Sequence, residues 1–412
     1  MPAAARLRVP LAASAVLAAF AVGCSGSDPE SRSSAPAAPA PAAGSESAGA
    51  VPSASVGAPV ATPSVGAPAA TATAAPTGGS PTGDLVPGRV TEIARGLDVP
   101  WGLTFLPDRS ALVAERDSGR IVRVPAAGGE PTPVGTVPGV DAAGEGGLLG
   151  LAASPGFATD RTVFAYLTAE SENRVVALRV GADFGSLEQE RVVLGGIARA
   201  SIHNGGRLVF GPDGDLWIGT GDASDGQNSP DETSLNGKVL RVRPDGSAAP
   251  GNPGGTPVYT RGHRNVQGIA FGADGTAYAA EFGQNTWDEL NVLRADTDYG
   301  WPSREGPEGG GAARPRFWFG TDEASPSGIA TAGDAVWMAG LRGERLWKLP
   351  IRGGERTGEP TAYLDGEYGR LRTVERAPDG ALWVTTSNTD GRGDPGDGDD
   401  RILRVELVPA AS

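Results

Sequence analysis

Beyond about residue 88 the chain alternates short apolar runs with turn residues at a regular interval. One unit recurs: an apolar run, a Pro-Asp-Gly-like turn, then an alternating strand. It surrounds Pro107-Asp108-Arg109, Pro212-Asp213-Gly214, Ala273-Asp274-Gly275 and Pro378-Asp379-Gly380. Looser copies run from Leu151 to Tyr166 and from Ile329 to Ala339. Each copy sets two β-prone runs around a turn that demands Gly, Asp or Asn. A second signature follows each, a short strand mixing Arg or Lys with aliphatic residues, beginning at Gly119, Asn173, Gly237, Glu289, Glu344 and Asp400. The turns recur roughly every 45 to 60 residues, the interval of four-stranded blades with variable loops. No long 3.6-residue period competes. The pattern predicts an all-β, six-bladed β-propeller over residues 85–412. A pair of β-sandwiches is the competing architecture, and it leaves six matched units unexplained.

The N-terminal segments read differently. Residues 1–24 have Arg6 and Arg8 ahead of an apolar run that ends at Ala21-Val22-Gly23-Cys24. This is the layout of a secretory signal. Cys24 is the only cysteine in the chain. Its place after the apolar run predicts a lipoprotein-type signal, with a lipid anchor at Cys24 as the membrane partner. An ordinary cleavage site, giving a secreted protein, is the other reading, and both are extracytoplasmic. One cysteine cannot form an intrachain disulfide. Residues 25–84 are rich in Ala, Pro and Ser and hold no aromatic residue. Such a stretch buries too little apolar surface to offset its ordering entropy, and reads as a disordered linker. The net charge of −14 argues against a nucleic-acid partner, since neutralising phosphates needs a basic face.

Candidate chemistry centres on histidine, of which there are only two, His203 and His263. Both sit among Gly, Asn and Arg. Histidine is the side chain whose ordinary titration lies near neutral pH. His203-Asn204-Gly205-Gly206 is followed, after one hairpin, by Gly221-Asp222. A hairpin brings its ends together, so Asp222 is placed to fix the tautomer of His203 and leave the other ring nitrogen as a base.

Several motifs occur in one order: Gly147-Leu148-Leu149-Gly150, His203-Asn204-Gly205-Gly206-Arg207, Gly262-His263-Arg264-Asn265-Val266-Gln267-Gly268, Asp288-Glu289-Leu290-Asn291, Asp298-Tyr299-Gly300-Trp301-Pro302 and Gly369-Arg370-Leu371-Arg372. Together they resemble the glucose/sorbosone dehydrogenase family, the pyrroloquinoline quinone (PQQ) aldose sugar dehydrogenases. The resemblance runs from about Pro100 to the last strand.

The resemblance implies PQQ lying over the channel mouth of the propeller and an aldose oxidised to a lactone, C1 giving hydride to the quinone. It makes His203 the general base and Asp222 its orienting carboxylate. Arg264 and Asn265 match the pair beside the reactive carbonyls, and Gln227 a cofactor contact. PQQ carries three carboxylates. Arg370 and Arg372, two apart on a strand, point to one face and offer planar forks to them. Arg342 matches a family position often held by lysine. Calcium is the second implied cofactor, held through backbone carbonyls of Gly283 and Gln284 and, at a second site, by Glu289 and the Tyr299 carbonyl. The electron acceptor is not identified by any motif.

Three positions depart from the family pattern. Glu145 stands where a Gln contacts the quinone, and a carboxylate there would repel an anionic cofactor unless protonated or paired. Phe282 replaces a commonly polar residue and Gln284 a frequent Pro. Trp318 is the candidate for an aromatic cap. Two other functions compete: a non-catalytic propeller that has lost PQQ, and a calcium-dependent lactonase, which needs a ring of Glu, Asn and Asp in the channel.

Overall fold

The computed structural model describes residues 83–308 and 313–411. The expectations for the signal segment, Cys24 and all but the last two linker residues lie outside them.

The six repeats become six sheets of four or five strands. The first five blades follow one another along the chain, except that Thr297–Asp298, which falls between strands of the fourth, adds a parallel edge strand to the third. Their innermost strands are Pro100–Phe105, Leu148–Ala153, Leu208–Phe210, Val266–Phe271 and Pro326–Ala332. The sixth blade joins the two ends of the fold. Its strands run outward as Leu371–Arg376, Leu382–Thr386, Ile402–Pro409 and Leu85–Ala94. The innermost strands meet one another in ring order, and the sixth meets the first. The expected six-bladed propeller is the observed fold. The ladder between Leu85–Ala94 and Ile402–Pro409 closes the ring by backbone hydrogen bonds.

The turn signature has one mechanism. Asp108, Asp213, Asp274 and Asp379 each accept, through Oδ1, the backbone N–H two residues on, at 3.0–3.1 Å. This Asx contact fixes the hairpin. The next residue takes positive φ, as Gly214, Gly275, Gly380 and, in the first blade, Arg109. The looser copy after Leu151 encloses one helical turn, Phe157–Asp160.

Aromatic residues lock neighbouring blades. Phe164 meets Phe210, Trp217 meets Phe271 and Trp383 meets Phe105, all edge-on with centroids 4.9–5.3 Å apart. In each pair the second strand of one blade reaches the first strand of the next. Edge-on packing adds about 0.5–1.5 kcal/mol beyond area burial.

The hub is narrow because backbones approach closely there. A Cβ on Gly102, Gly150, Gly268 or Gly328 would lie 2.1–2.8 Å from the neighbouring blade's backbone. Beside each of Gly102, Gly150 and Gly328 the inner strand breaks register, and the same irregularity recurs in the fourth and sixth blades. A bulge turns side chains off the regular alternation. Here it falls at Trp101, Gln267 and Arg372, all of which face the hub cavity.

Candidate active site

Strands one and two of each blade are antiparallel. The entry to the first and the exit from the second therefore share one end of the propeller, opposite the Asp-Gly turns. Most candidate residues come from these two loop classes. Glu145, His203, Arg264, Asn265 and Arg370 stand on entries; Asp222, Gly283, Gln284 and Arg342 stand on exits.

A cavity of about 490 Å³ opens at this end of the hub. Its wall carries Arg116, Arg342, Arg370, Arg372 and Arg392 against Glu145 and Asp390. Five guanidiniums against two carboxylates make it a site for an anion. No ring of carboxylates of the kind a calcium-dependent lactonase needs lines it.

Arg370 and Arg372 do reach the same face, and both find Asp390. Its Oδ2 accepts from Arg370 Nη2 at 3.0 Å and from Arg372 Nη2 at 3.1 Å. Arg372 also donates to Ser387 Oγ at 2.9 Å. Burial pulls the Arg372 guanidinium down to about 10 while Asp390 works the other way, so it remains a cation at neutral pH. Arg342 is exposed on the same wall and makes no hydrogen bond or ion pair with a described residue.

His203 is almost buried, 8% exposed, and takes φ 61°. Left-handed backbone is unusual for a non-glycine residue, and neighbours hold it. The N–H of His203 donates to Glu145 Oε2 at 3.0 Å, and its Nδ1 lies 2.8 Å from Asp222 Oδ1. Nε2 has no partner among the described residues. Asp222 Oδ2 accepts from Trp301 Nε1 at 2.8 Å. Burial works to raise the Asp222 carboxyl, but its bond to His203 and the Trp301 N–H hold it below the ordinary range. Glycine is required at 221, where a Cβ would lie 2.0 Å from the His203 carbonyl oxygen.

Glu145 proves to be paired. Its Oε1 pairs with Arg392 Nη1 at 2.8 Å while Oε2 holds His203. Burial alone would raise its carboxyl; the His203 N–H and Arg392 outweigh it and keep the group below its ordinary range. It is therefore ionised and paired, and the expected repulsion of an anion is answered by Arg392.

The second histidine is a structural post. His263 is fully buried, with Nδ1 2.9 Å from Glu281 Oε1 and Nε2 2.8 Å from Thr260 Oγ1. It stacks on Tyr299 with centroids 4.6 Å apart. Glu281 Oε2 also accepts the Arg264 N–H at 2.9 Å. Arg264 lies over the Trp301 ring at 5.5 Å, and its buried Nε has no partner among the described residues. Asn265 Oδ1 accepts from the Gly205 N–H at 3.0 Å, pinning the loop that carries His203.

The candidate calcium residues lie together beyond Arg264. The Gly283 N–H donates to Asp288 and the Gln284 N–H to Glu305. The carbonyls of Gly283 and Gln284 accept no hydrogen bond from a described residue. A cavity of about 10 Å³, the volume of one water-sized occupant, is lined by Glu281, Gly283, Glu289, Tyr299 and Glu305 among others. Burial, with Glu281 adding to it, pushes Glu289 up to about 7. Asn291 Nδ2 bridges Glu281 and Glu289 at 2.9 Å each, while its Oδ1 is buried without a partner. Among the described residues no three His, Cys, Asp or Glu side chains converge on a metal position.

His203, Asp222, Arg264 and Asn265 are not among the residues lining the cavity, and neither is Gln227, exposed in the short 3₁₀ turn Gly226–Asn228. One expected residue is not brought in. Trp318, 38% exposed, lies on the outermost strand of its blade, Phe317–Gly320, so it caps nothing at the hub. Asp390, Arg392, Arg116, Gln267 and Trp301 were not singled out by the sequence for any role. The exit-loop phase of the repeat was the available signal for Arg116, Asp390 and Arg392.

Fold and site define a six-bladed propeller with an anion pocket at its hub. A sequence model of the Glucose / Sorbosone dehydrogenase family matches residues 97–394, and the chain belongs to that family. The PQQ-bound form of an aldose sugar dehydrogenase from Streptomyces coelicolor superposes with a TM-score of 0.77 at 50% identity, covering 80% of this chain and 100% of that one. An aldose sugar dehydrogenase of Escherichia coli is 27% identical over 72% of this chain and 89% of its own length. Quinoprotein glucose dehydrogenase B of Acinetobacter calcoaceticus is 32% identical over 52% of each chain, so the match spans about half of that relative.

Proposed function

We propose that this chain oxidises aldose sugars to lactones in the hub pocket, with PQQ and Ca²⁺ as cofactors. The observation that carries this reading is the arginine-dominated cavity beside the His203–Asp222 pair. The buried, unpartnered Nε of Arg264 fits a ligand acceptor at its edge. Arg342, Arg370 and Arg372 would hold the carboxylates of PQQ, and Arg264 and Asn265 would face its carbonyls. The free carbonyls of Gly283 and Gln284 fit a hard cation, and Glu289 with the Tyr299 carbonyl fits a second. When bound, the quinone supplies the acceptor for the hydride that leaves C1.

The chain's own work is acid–base and electrostatic. Asp222 fixes the ring of His203, so Nε2 takes the proton of the anomeric hydroxyl as the C1–O bond becomes a carbonyl. Trp301 and Glu145 keep that pair in place. Arg264 stabilises charge that develops beside it. We place the protein outside the cytoplasm, tethered at Cys24 or secreted, with an acceptor of unidentified chemistry.

Reconstitution with PQQ and Ca²⁺, followed by dye reduction with a panel of aldoses, tests the reading. Activity in wild type and its loss in His203→Ala are expected. No dye reduction by wild type, together with no PQQ binding, would leave a propeller that has lost the quinone.

A further inference from the structure

Asp390 has no role in the reading above, yet it is the most heavily bonded side chain in the pocket. It lies eighteen residues past Arg372, on the exit loop of the sixth blade, and its side chain is 2% exposed. Oδ2 alone takes Arg370 Nε at 3.2 Å, Arg370 Nη2 at 3.0 Å, Arg372 Nη2 at 3.1 Å and Ser387 Oγ at 3.2 Å. Oδ1 accepts the Arg392 N–H at 3.0 Å. Burial works to raise the carboxyl, but the two arginines outweigh it and keep Asp390 ionised.

We infer that Asp390 is a positioning residue for the anion site, resting on the reading of the pocket given above. Arg370 and Arg372 stand two residues apart and both are buried. Two like charges so placed repel and turn away from each other unless a carboxylate lies between them. Asp390 holds them as one preset pair. Arg370 spends Nε and Nη2 on Asp390 and keeps Nη1 for a ligand; no described residue takes it. Arg372 Nη1 has only a long 3.4 Å contact to Gln267 Oε1. The free donors lie on the side of the guanidiniums that Asp390 does not occupy. The same loop carries Arg392 to Glu145, and Glu145 holds His203. One short loop thus sets the cations for the ligand and, through Glu145, the backbone of the base.

The opposing reading treats Asp390 as a counter-ion that a ligand carboxylate must compete with. The two readings predict opposite signs. Asp390→Asn keeps the shape and an acceptor oxygen but removes the charge. If Asp390 positions the arginines, the variant binds PQQ at least tenfold more weakly, although the pocket has gained positive charge. If it only competes, the variant binds PQQ more tightly. Calorimetric titration of the apo-protein with PQQ in the presence of Ca²⁺ decides. Ser387→Ala, which removes one donor to Asp390 Oδ2 and the acceptor of Arg372 Nε, loosens the same network and is the milder variant should Asp390→Asn not fold, and about threefold weakening is expected. Equal or tighter binding by the folded variants overturns the inference alone. Failure of wild type to bind PQQ overturns the proposed function instead.

Discussion

His203 Nδ1 stands 2.8 Å from Oδ1 of Asp222, and the other oxygen of that carboxylate is held by Trp301. One ring nitrogen is committed and the other, Nε2, is left for a proton. His203→Ala should lower kcat by about 10²–10⁴-fold, the usual worth of a general base. PQQ affinity should change little, and the melting temperature of the apo-protein should fall as the buried Asp222 carboxylate loses its ring partner. Steady-state dye reduction beside a PQQ titration separates the two effects.

Asp222 also sets a pH dependence. Its folded-state pKa is lowered. A lowered carboxyl contributes stability that is present above its unfolded value, about 3.9, and lost as pH falls through the folded one. Wild type should therefore lose stability relative to Asp222→Asn as pH drops below about 4. Melting curves of both proteins from pH 7 to pH 3 should converge at the acid end. Parallel curves would show that Asp222 carries no such linkage.

Trp301→Phe removes the N–H that holds Asp222 but keeps a ring under Arg264. The lost bond to a charged acceptor is worth about 1.5–3 kcal/mol. Denaturant unfolding should show a loss of up to that size, and kcat should fall while KM for sugar holds.

The two histidines should separate cleanly. His263→Ala strips partners from Glu281 and Thr260 inside a sealed site, and should cost about 2–4 kcal/mol of stability. The folded fraction should bind PQQ normally. Urea unfolding with a binding titration and dye reduction tests this against His203→Ala, which should keep PQQ affinity and lose turnover.

Calcium should stabilise the apo-protein in a concentration-dependent way, by about 2.7 kcal/mol at a hundredfold excess over Kd, and raise its melting temperature accordingly. Glu289→Gln should reduce that gain. Thermal shift with CaCl₂ and with EDTA reads both.

The repeat of apolar runs and Asp-Gly turns was enough for the architecture, because hairpin geometry is local: an Asp side chain reaches a backbone N–H two residues away. The same locality put Asp222 beside His203 across one hairpin, and Arg370 beside Arg372 on one strand. Other pairings had no such footprint. Arg392 meets Glu145 across 247 residues, and the N-terminal strand meets the last one across the whole domain. Such partners are chosen by ring closure, which brings six loops to one end whatever their distance in sequence. That is why the sequence left open whether Glu145 is paired, and the structure supplies Arg392. It is also why Trp318, reasonable by type, fell outside the pocket: where a side chain points depends on blade, strand and bulge. Residue type and spacing settled the blades and the chemistry available to them. Only the closed ring decided which charges face one another.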